Sequence, residues 1–368
     1  MNPMLENETI QAIQFKKMVS IFIVGTSIIL IPTMLASEAK QDAWISAIVS
    51  MIVGLLLVFI YNALGHLYPG RSLVELSRDI LGSWFGTCLS LLIVFYCFIL
   101  TSLVLRNLGD FLTAALIPET PIQAIHIVYL CIIVIGVRYG PCNIARTADL
   151  FYPWILILFV IFVILLVPNF EFKHLQPVLA KGIEPVLNAS YPFIAFPFME
   201  LFLFLMIFPL VKEPKAAGRA FLKGTFYGGL ILFVITLLCL LVLGAENTAS
   251  NLYSSFELAK KIKITEIIQR VEVIIAAIWF LTIFVKLILC FYILISSLSQ
   301  TLKLSDYRSL ALPMGMILYS ASIVISPNIS YLITFDIKIW PLFALTFGLF
   351  FPLLLLGIAL IKRERYSS

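Results

Sequence analysis

Charge is what this chain has least of. Only 12% of its 368 residues are Asp, Glu, Lys or Arg, against 61% hydrophobic ones, a balance far outside that of soluble globular domains. The scarcity predicts an all-α, polytopic membrane protein, and it removes the usual meaning of a net charge of +5. In such a chain basic residues are topology signals first, so nothing here points to nucleic acid. Cysteine is scarce in any useful pattern. Cys88, Cys97, Cys131, Cys142, Cys239 and Cys290 lie scattered, mostly in apolar runs, without disulfide or metal spacing, and read as small buried apolar residues. The histidines, His66, His126 and His174, stand apart near predicted helix ends or loops and predict no metal cluster. A Walker loop, a nucleotide fingerprint, a metallohydrolase motif and a nucleophile–base arrangement are all missing, so the reading is of neither an enzyme nor a cofactor protein. No cleavable signal peptide is expected, because the N-terminus is polar (Asn2, Glu6, Asn7, Glu8) and the first apolar run lacks a small-residue cleavage site.

What the chain has in abundance is apolar runs long enough to cross a hydrocarbon core of about 30 Å. About ten spans are predicted, near 14–36, 43–65, 86–116, 122–138, 149–167, 189–210, 219–243, 266–299, 308–326 and 338–361. An even number puts both termini on one side. With that side cytoplasmic, fifteen Lys and Arg lie inside (Lys16, Lys17, Arg71, Arg78, Arg138, Arg146, Lys212, Lys215, Arg219, Lys223, Lys303, Arg308, Lys362, Arg363, Arg365) and seven outside (Lys40, Lys173, Lys181, Lys260, Lys261, Lys263, Lys338). Five of the seven fall in the two long outer loops, where the positive-inside rule is weak, so the orientation follows. Residues 66–85 place Leu73, Leu76 and Ile80 at helical spacing and predict an interfacial helix. The outer loops are 168–188, rich in Pro and charge, and 244–265, expected to begin loose and end as an amphipathic turn. Either is a solvated connector or a surface for a partner or lid. Spans 3 and 8 are longer than a perpendicular crossing requires and are expected to tilt.

The first span carries Gly25-Thr26-Ser27 in its middle and Pro32 beyond. Backbone groups freed at such a site find no water in hydrocarbon and must meet protein, cavity water or ligand. The sixth, Ser190 to Pro209, holds Pro192, Pro197 and Glu200. Paired interruptions in matching spans mark the midplane sites of secondary transporters. The two broken spans are expected to face each other, wrapped by spans 3 and 8. The spacing predicts a single membrane domain, 1–368, built as a 5+5 inverted-repeat transporter-like bundle, with repeats near 14–167 and 189–361 and breaks in helices 1 and 6.

The cations outside those two sets are Arg106, Arg270 and Lys286, all within predicted spans, where a charge requires a partner or a cavity. Arg106 and Asp110 are spaced to pair along one helix face; Arg270 and Glu272 fit an interfacial end with snorkelling. Glu200 and Lys286 fall near the centres of spans 6 and 8. Two readings fit them: a structural buried pair, or groups held by backbone carbonyls at the break; and a functional arrangement in which the Lys286 ammonium fills a cation position between spans 1 and 8 while Glu200 receives a proton or a ligand amine. At the same depth Gly25, Thr26, Ser27, Thr101, Ser102 and Thr282 are small and polar, and Phe193 and Phe196 stand ready to wall a pocket. Half-helix N-termini favour a carboxylate and opposing carbonyls an ammonium, so the expected ligand is a zwitterionic amino acid.

Gly25 through Pro32 resembles the glycine-to-proline signature of amino acid-polyamine-organocation transporters. Phe198-Met199-Glu200-Leu201 through Pro209, followed by Lys212, Lys215, Arg219 and Lys223, resembles the B subunit family of bacterial spore germinant receptors, with Met199 where a glycine is expected. That resemblance implies a protein in the inner membrane of the dormant spore that senses a small-molecule germinant, commonly an amino acid. It also implies partners: a larger A subunit, a C lipoprotein and the surrounding membrane lipid. The alternative reading is a proton-coupled amino acid permease.

Overall fold

Residues 9–261 and 271–367 are described by a computed structural model. Among them the chain is helical throughout, with one isolated bridge between Ile10 and Val211 in place of any sheet. Seven helical stretches are long and apolar enough to cross a membrane, and a bent pair, 307–324 with 329–338, makes an eighth. Their outer faces are apolar at helical spacing: Ile52, Leu56 and Phe59, or Ile157, Ile161 and Ile164, are exposed. So large an unpartnered apolar surface belongs in lipid.

The first of the seven stretches, 27–67, turns back on itself. Helix α1 (Ala12–Val24) and helix α2 (Ser27–Ala39) climb together, and helix α3 (Ala43–Leu67) descends after the turn at Lys40–Asp42. Helix α9 (Pro214–Ser250) records both directions. The main chain of Lys16 and then Ser20 lies against Gly224 and then Gly228, whereas Met51 and then His66 lie against Gly229 and then Gly218. A Cβ on Gly224 would stand 2.6 Å from Lys16 O, so the Gly224–Gly228 spacing lets α1 and α9 approach as membrane helices with small residues do.

Between these, the amphipathic helix α4 (Leu73–Leu81) opens with a capping box from Ser72 and Glu75. Helices α5 (Ser83–Phe111), α6 (Ile122–Arg138) and α7 (Pro141–Leu166) follow, and then α8 (Glu184–Phe193). Beyond α9 come α10 (Ser254–Lys260), α11 (Glu272–Leu302), α12 (Ala311–Val324), α13 (Ile329–Lys338), α14 (Trp340–Leu345) and α15 (Phe351–Ser367). Each of the ten expected spans corresponds to a helical stretch. The expected interfacial helix is α4, whose Arg78 guanidinium donates to the Gln300 and Thr301 carbonyls at the end of α11 at 3.0 and 2.7 Å.

Two expectations need correction. The stretch from 244 does not begin loose: the helix continues to Ser250 past a glycine corner at Gly244 (φ 77°) and is followed by α10. Residues 329–338, which fall between the ninth and tenth expected spans apart from Lys338, form α13, bent 98° from the helix before it. The expected interfacial placement of Arg270 lies outside the described residues.

Candidate functional site

The break in the first span sits at Gly25, whose backbone (φ −2°, ψ −110°) leaves helical geometry after its N–H has bonded Ile21 O at 2.9 Å. The sixth span breaks for a different local reason. Proline disfavours helical geometry in the residue before it, and Phe196, ahead of Pro197, is extended at φ −124°, ψ 98°. A wide turn over Ile194–Phe198 absorbs the interruption, and the chain resumes as a 3-10 helix, Met199–Met206. The start of the first span and the end of the sixth are tied together where Ile10 N–H donates to Leu210 O at 2.8 Å and Lys212 N–H to Ile10 O at 3.1 Å.

Lys286 enters the gap from α11. Its Nζ stands 2.9 Å from Glu200 Oε2, and both side chains are fully buried. The ammonium also donates to Thr26 Oγ1 at 3.1 Å and lies 4.9 and 4.7 Å from the ring centroids of Phe22 and Phe196, within cation–π reach. The glycine at the break makes this possible. A Cβ on Gly25 would come within 2.6 Å of Lys286 Cδ, so only glycine lets the lysine stem pass there. Glu200 Oε1 is buried without a well-formed hydrogen bond, as are the Ser27 hydroxyl, the Tyr96 hydroxyl and the indole N–H of Trp340. Trp340 stands beside the carboxylate and stacks near Tyr96, centroids 5.3 Å apart.

Gly25, Thr26, Phe196, Glu200 and Lys286 are thus brought together by direct contact. Ser27 lies beside them with its hydroxyl unbonded, and the other expected site residues have other engagements. The hydroxyls of Thr101, Ser102 and Thr282 donate within their own helices to Cys97 O, Phe98 O and Trp279 O at 2.6, 2.8 and 2.9 Å, and Phe193 packs on Phe198 at 5.4 Å. Arg106 pairs with Asp110 at 2.9 Å, as its spacing predicts.

Two spaces flank the centre. One, lined by Thr26, Ile29, Leu30, Asn107, Phe111, Tyr253 and Trp279, is about 10 Å³, room for a single water. Its aromatic members close on one another, with Phe111 4.9 Å from Tyr253 and 4.4 Å from Trp279 between centroids. Nearby, Thr33 ties α2 to the start of α10, its hydroxyl 2.7 Å from Ser254 Oγ and from Asn251 O. The other, about 1000 Å³, opens between α4, the end of the sixth span and the end of α11, with Arg71, Arg78, Met206, Tyr292 and Ser296 among its lining. Asn107, Phe111, Trp279 and Trp340 escape sequence reasoning because aromatic and amide residues in apolar runs carry no distinctive spacing, and Tyr253 because it falls in the outer loop 244–265.

Two discontinuous helices side by side, bridged at their breaks by a buried ion pair, define an integral membrane protein with the architecture of broken-helix transporters. A solved structure carries the same fold: a nucleobase-cation-symport-1 family transporter in a closed conformation with bromovinylhydantoin bound superposes with a TM-score of 0.57 at 15% identity, over 89% of this chain and 75% of that one. Residues 9–330 match the family described as Spore germination protein, and the chain belongs to that family. It is 29% identical to spore germination protein KB of Bacillus subtilis (strain 168) over 98% of this chain and 97% of that protein. It is also 26% identical to spore germination protein YndE of the same organism over 77% and 78%.

Proposed function

We propose that this chain is the germinant-sensing membrane subunit of a spore germination receptor, binding a small nutrient, an amino acid, at the break of the first span. The observation that carries this reading is the fully buried Lys286–Glu200 pair at the two breaks, beside a small cavity that Thr26 lines. The lysine ammonium takes the place of a coupling cation between α11 and the first span, which removes a need for sodium. The cavity is too small for an amino acid as it stands, so a ligand binds by favouring a more open arrangement of α2, α10 and α11. Only its differential affinity for that arrangement drives the switch. Gly25, Thr26, Ser27, Thr101, Ser102, Phe193, Phe196, Glu200 and Thr282 form the inner shell of the opened site. The change passes to a larger A subunit and a C lipoprotein in the inner membrane of the dormant spore, with both termini on the core side and the repeats 14–167 and 189–361 moving against each other.

A permease reading has one observation in its favour, the large space that opens between α4, Leu210 and the end of α11, which fits an exit path. The test is germination of intact spores across a panel of amino acids, sugars and salts, wild type against Thr282→Leu at equal protein level, beside amino acid flux in liposomes holding the purified chain. Selective loss of response without flux supports sensing. Proton-coupled flux through the isolated chain supports the permease instead, and an unchanged response with no flux removes both.

A further inference from the structure

The basic run that follows the sixth span takes no part in the site at the breaks. Lys212, Lys215, Arg219 and Lys223 are all exposed, and Glu213 is the one carboxylate among residues 212–223. Lys215, Arg219 and Lys223 recur every fourth residue and so share one face of α9, over about 12 Å of its length. Phe226, Tyr227 and Leu230 continue that face and are exposed too. The other faces are taken, with Gly224 and Gly228 against α1 and Gly218 and Gly229 against α3. Along its exposed side α9 thus passes from cations to aromatic rings to an aliphatic chain.

A second helix adds a cation to this stripe. The main chain of Lys16 packs at Gly224, and its ammonium lies 5.3 Å from the centroid of the Tyr227 ring, within cation–π reach. Like charges four residues apart weaken a helix, and several of the chain's other cations are answered internally. Lys17 pairs with Asp149 and Arg71 with Asp79, while Arg78 and Lys362 donate to main-chain carbonyls. Among the described residues Lys16, Lys212, Lys215, Arg219 and Lys223 form no ion pair. Unpaired cations in line with an exposed apolar face suit an anion that carries its own hydrocarbon.

We infer that the exposed stripe of α9, together with Lys16, is a binding site for an anionic glycerophospholipid, with the phosphate among Lys16, Arg219 and Lys223 and the acyl chains along Phe226, Tyr227 and Leu230. Clusters of Lys and Arg at the end of a membrane helix hold anionic headgroups in this way. A positive-inside bias sorts cations by side of the membrane; it does not gather them on one face of one helix. The inference is independent of what the two breaks bind.

The test is equilibrium binding of phosphatidylglycerol to the full-length chain purified in dodecyl maltoside, followed by native mass spectrometry, with phosphatidylcholine, inorganic phosphate and a hexaglutamate peptide alongside. Wild type is expected to bind phosphatidylglycerol saturably and in preference to phosphatidylcholine. Arg219→Gln with Lys223→Gln should raise the dissociation constant by about tenfold or more, given about fivefold for each cation beside a lipid headgroup. Raised salt should weaken wild type more than this variant. Arg138→Gln with Lys303→Gln removes the same charge from exposed positions on other helices and should stay within about twofold of wild type, since distant charges are screened. Should the first pair fail to accumulate, Lys212→Gln with Lys215→Gln carries its expectation. Equal losses in the two paired variants reduce the effect to overall charge and overturn the assignment, as does equal binding of the two lipids. Displacement of the lipid by inorganic phosphate at matching concentration makes the site one for free phosphate. Saturable binding of the peptide without the lipid makes it one for an acidic protein segment, and either result overturns the lipid site.

Discussion

The buried pair at the breaks yields the sharpest energetic prediction. Lys286 and Glu200 are fully buried, 2.9 Å apart, and the ammonium has one further hydrogen bond, to Thr26 at 3.1 Å. Lys286→Met leaves an uncompensated carboxylate and Glu200→Leu an uncompensated ammonium, and breaking a buried pair in this way costs about 3–5 kcal/mol. A typical total stability is only about 5–15 kcal/mol, so each single variant should unfold at visibly lower denaturant or temperature. Replacing both partners by apolar groups of similar volume is close to neutral. Lys286→Met combined with Glu200→Leu should therefore recover most of the loss, giving an interaction energy of about 2 kcal/mol or more in a double-mutant cycle. The assay is unfolding of the detergent-purified chain followed by circular dichroism. Single losses below about 1 kcal/mol, or a double variant whose loss is the sum of the singles, would refute the claim that these two charges meet in a dry interior.

Gly25→Ala should displace the lysine stem, since its Cβ would lie 2.6 Å from Lys286 Cδ. An overpacking loss of about 1–3 kcal/mol should appear in the same unfolding assay, together with a weakened germination response. Gly348→Ala puts a Cβ 2.5 Å from the main-chain oxygen of Met199 and should destabilise by a similar amount. Tyr61→Phe removes the hydroxyl that donates to Gly348 O at 2.6 Å, leaving a buried carbonyl unpaired at about 1–3 kcal/mol. Arg78→Ala frees α4 from the last carbonyls of α11 and should raise amide exchange over residues 73–81 while leaving the centre protected.

How far the sequence could be read depended on which physical signal a residue carries. Long apolar runs have no soluble explanation, so the spans were legible, and so were the breaks, because Gly25-Thr26-Ser27 and the prolines around Glu200 stand inside apolar spans, although Pro32 and, on α9, Gly224 and Gly228 sit in continuous helix. Lys286 and Glu200 stood out because a charge at midspan demands a partner. Arg106 and Asp110 paired as helical spacing requires. The walls of the cavity were not legible. Trp279 looks like any apolar residue of its span, and Tyr253 sits in a stretch read as loop. The hydroxyls of Thr101, Ser102 and Thr282 illustrate the converse: depth alone does not decide direction, and each is satisfied within its own helix as such hydroxyls commonly are.

The central claim is that a small nutrient binds this chain at the break of the first span, and equilibrium binding tests it most directly. The full-length chain in lipid nanodiscs would be titrated with the standard L-amino acids by calorimetry, beside Leu30→Trp shown by circular dichroism to unfold at the same temperature. The account predicts saturable binding of one or a few amino acids at about one site per chain, abolished by Leu30→Trp. Saturable binding that survives the filled cavity, or none at any concentration below the millimolar range, would contradict it.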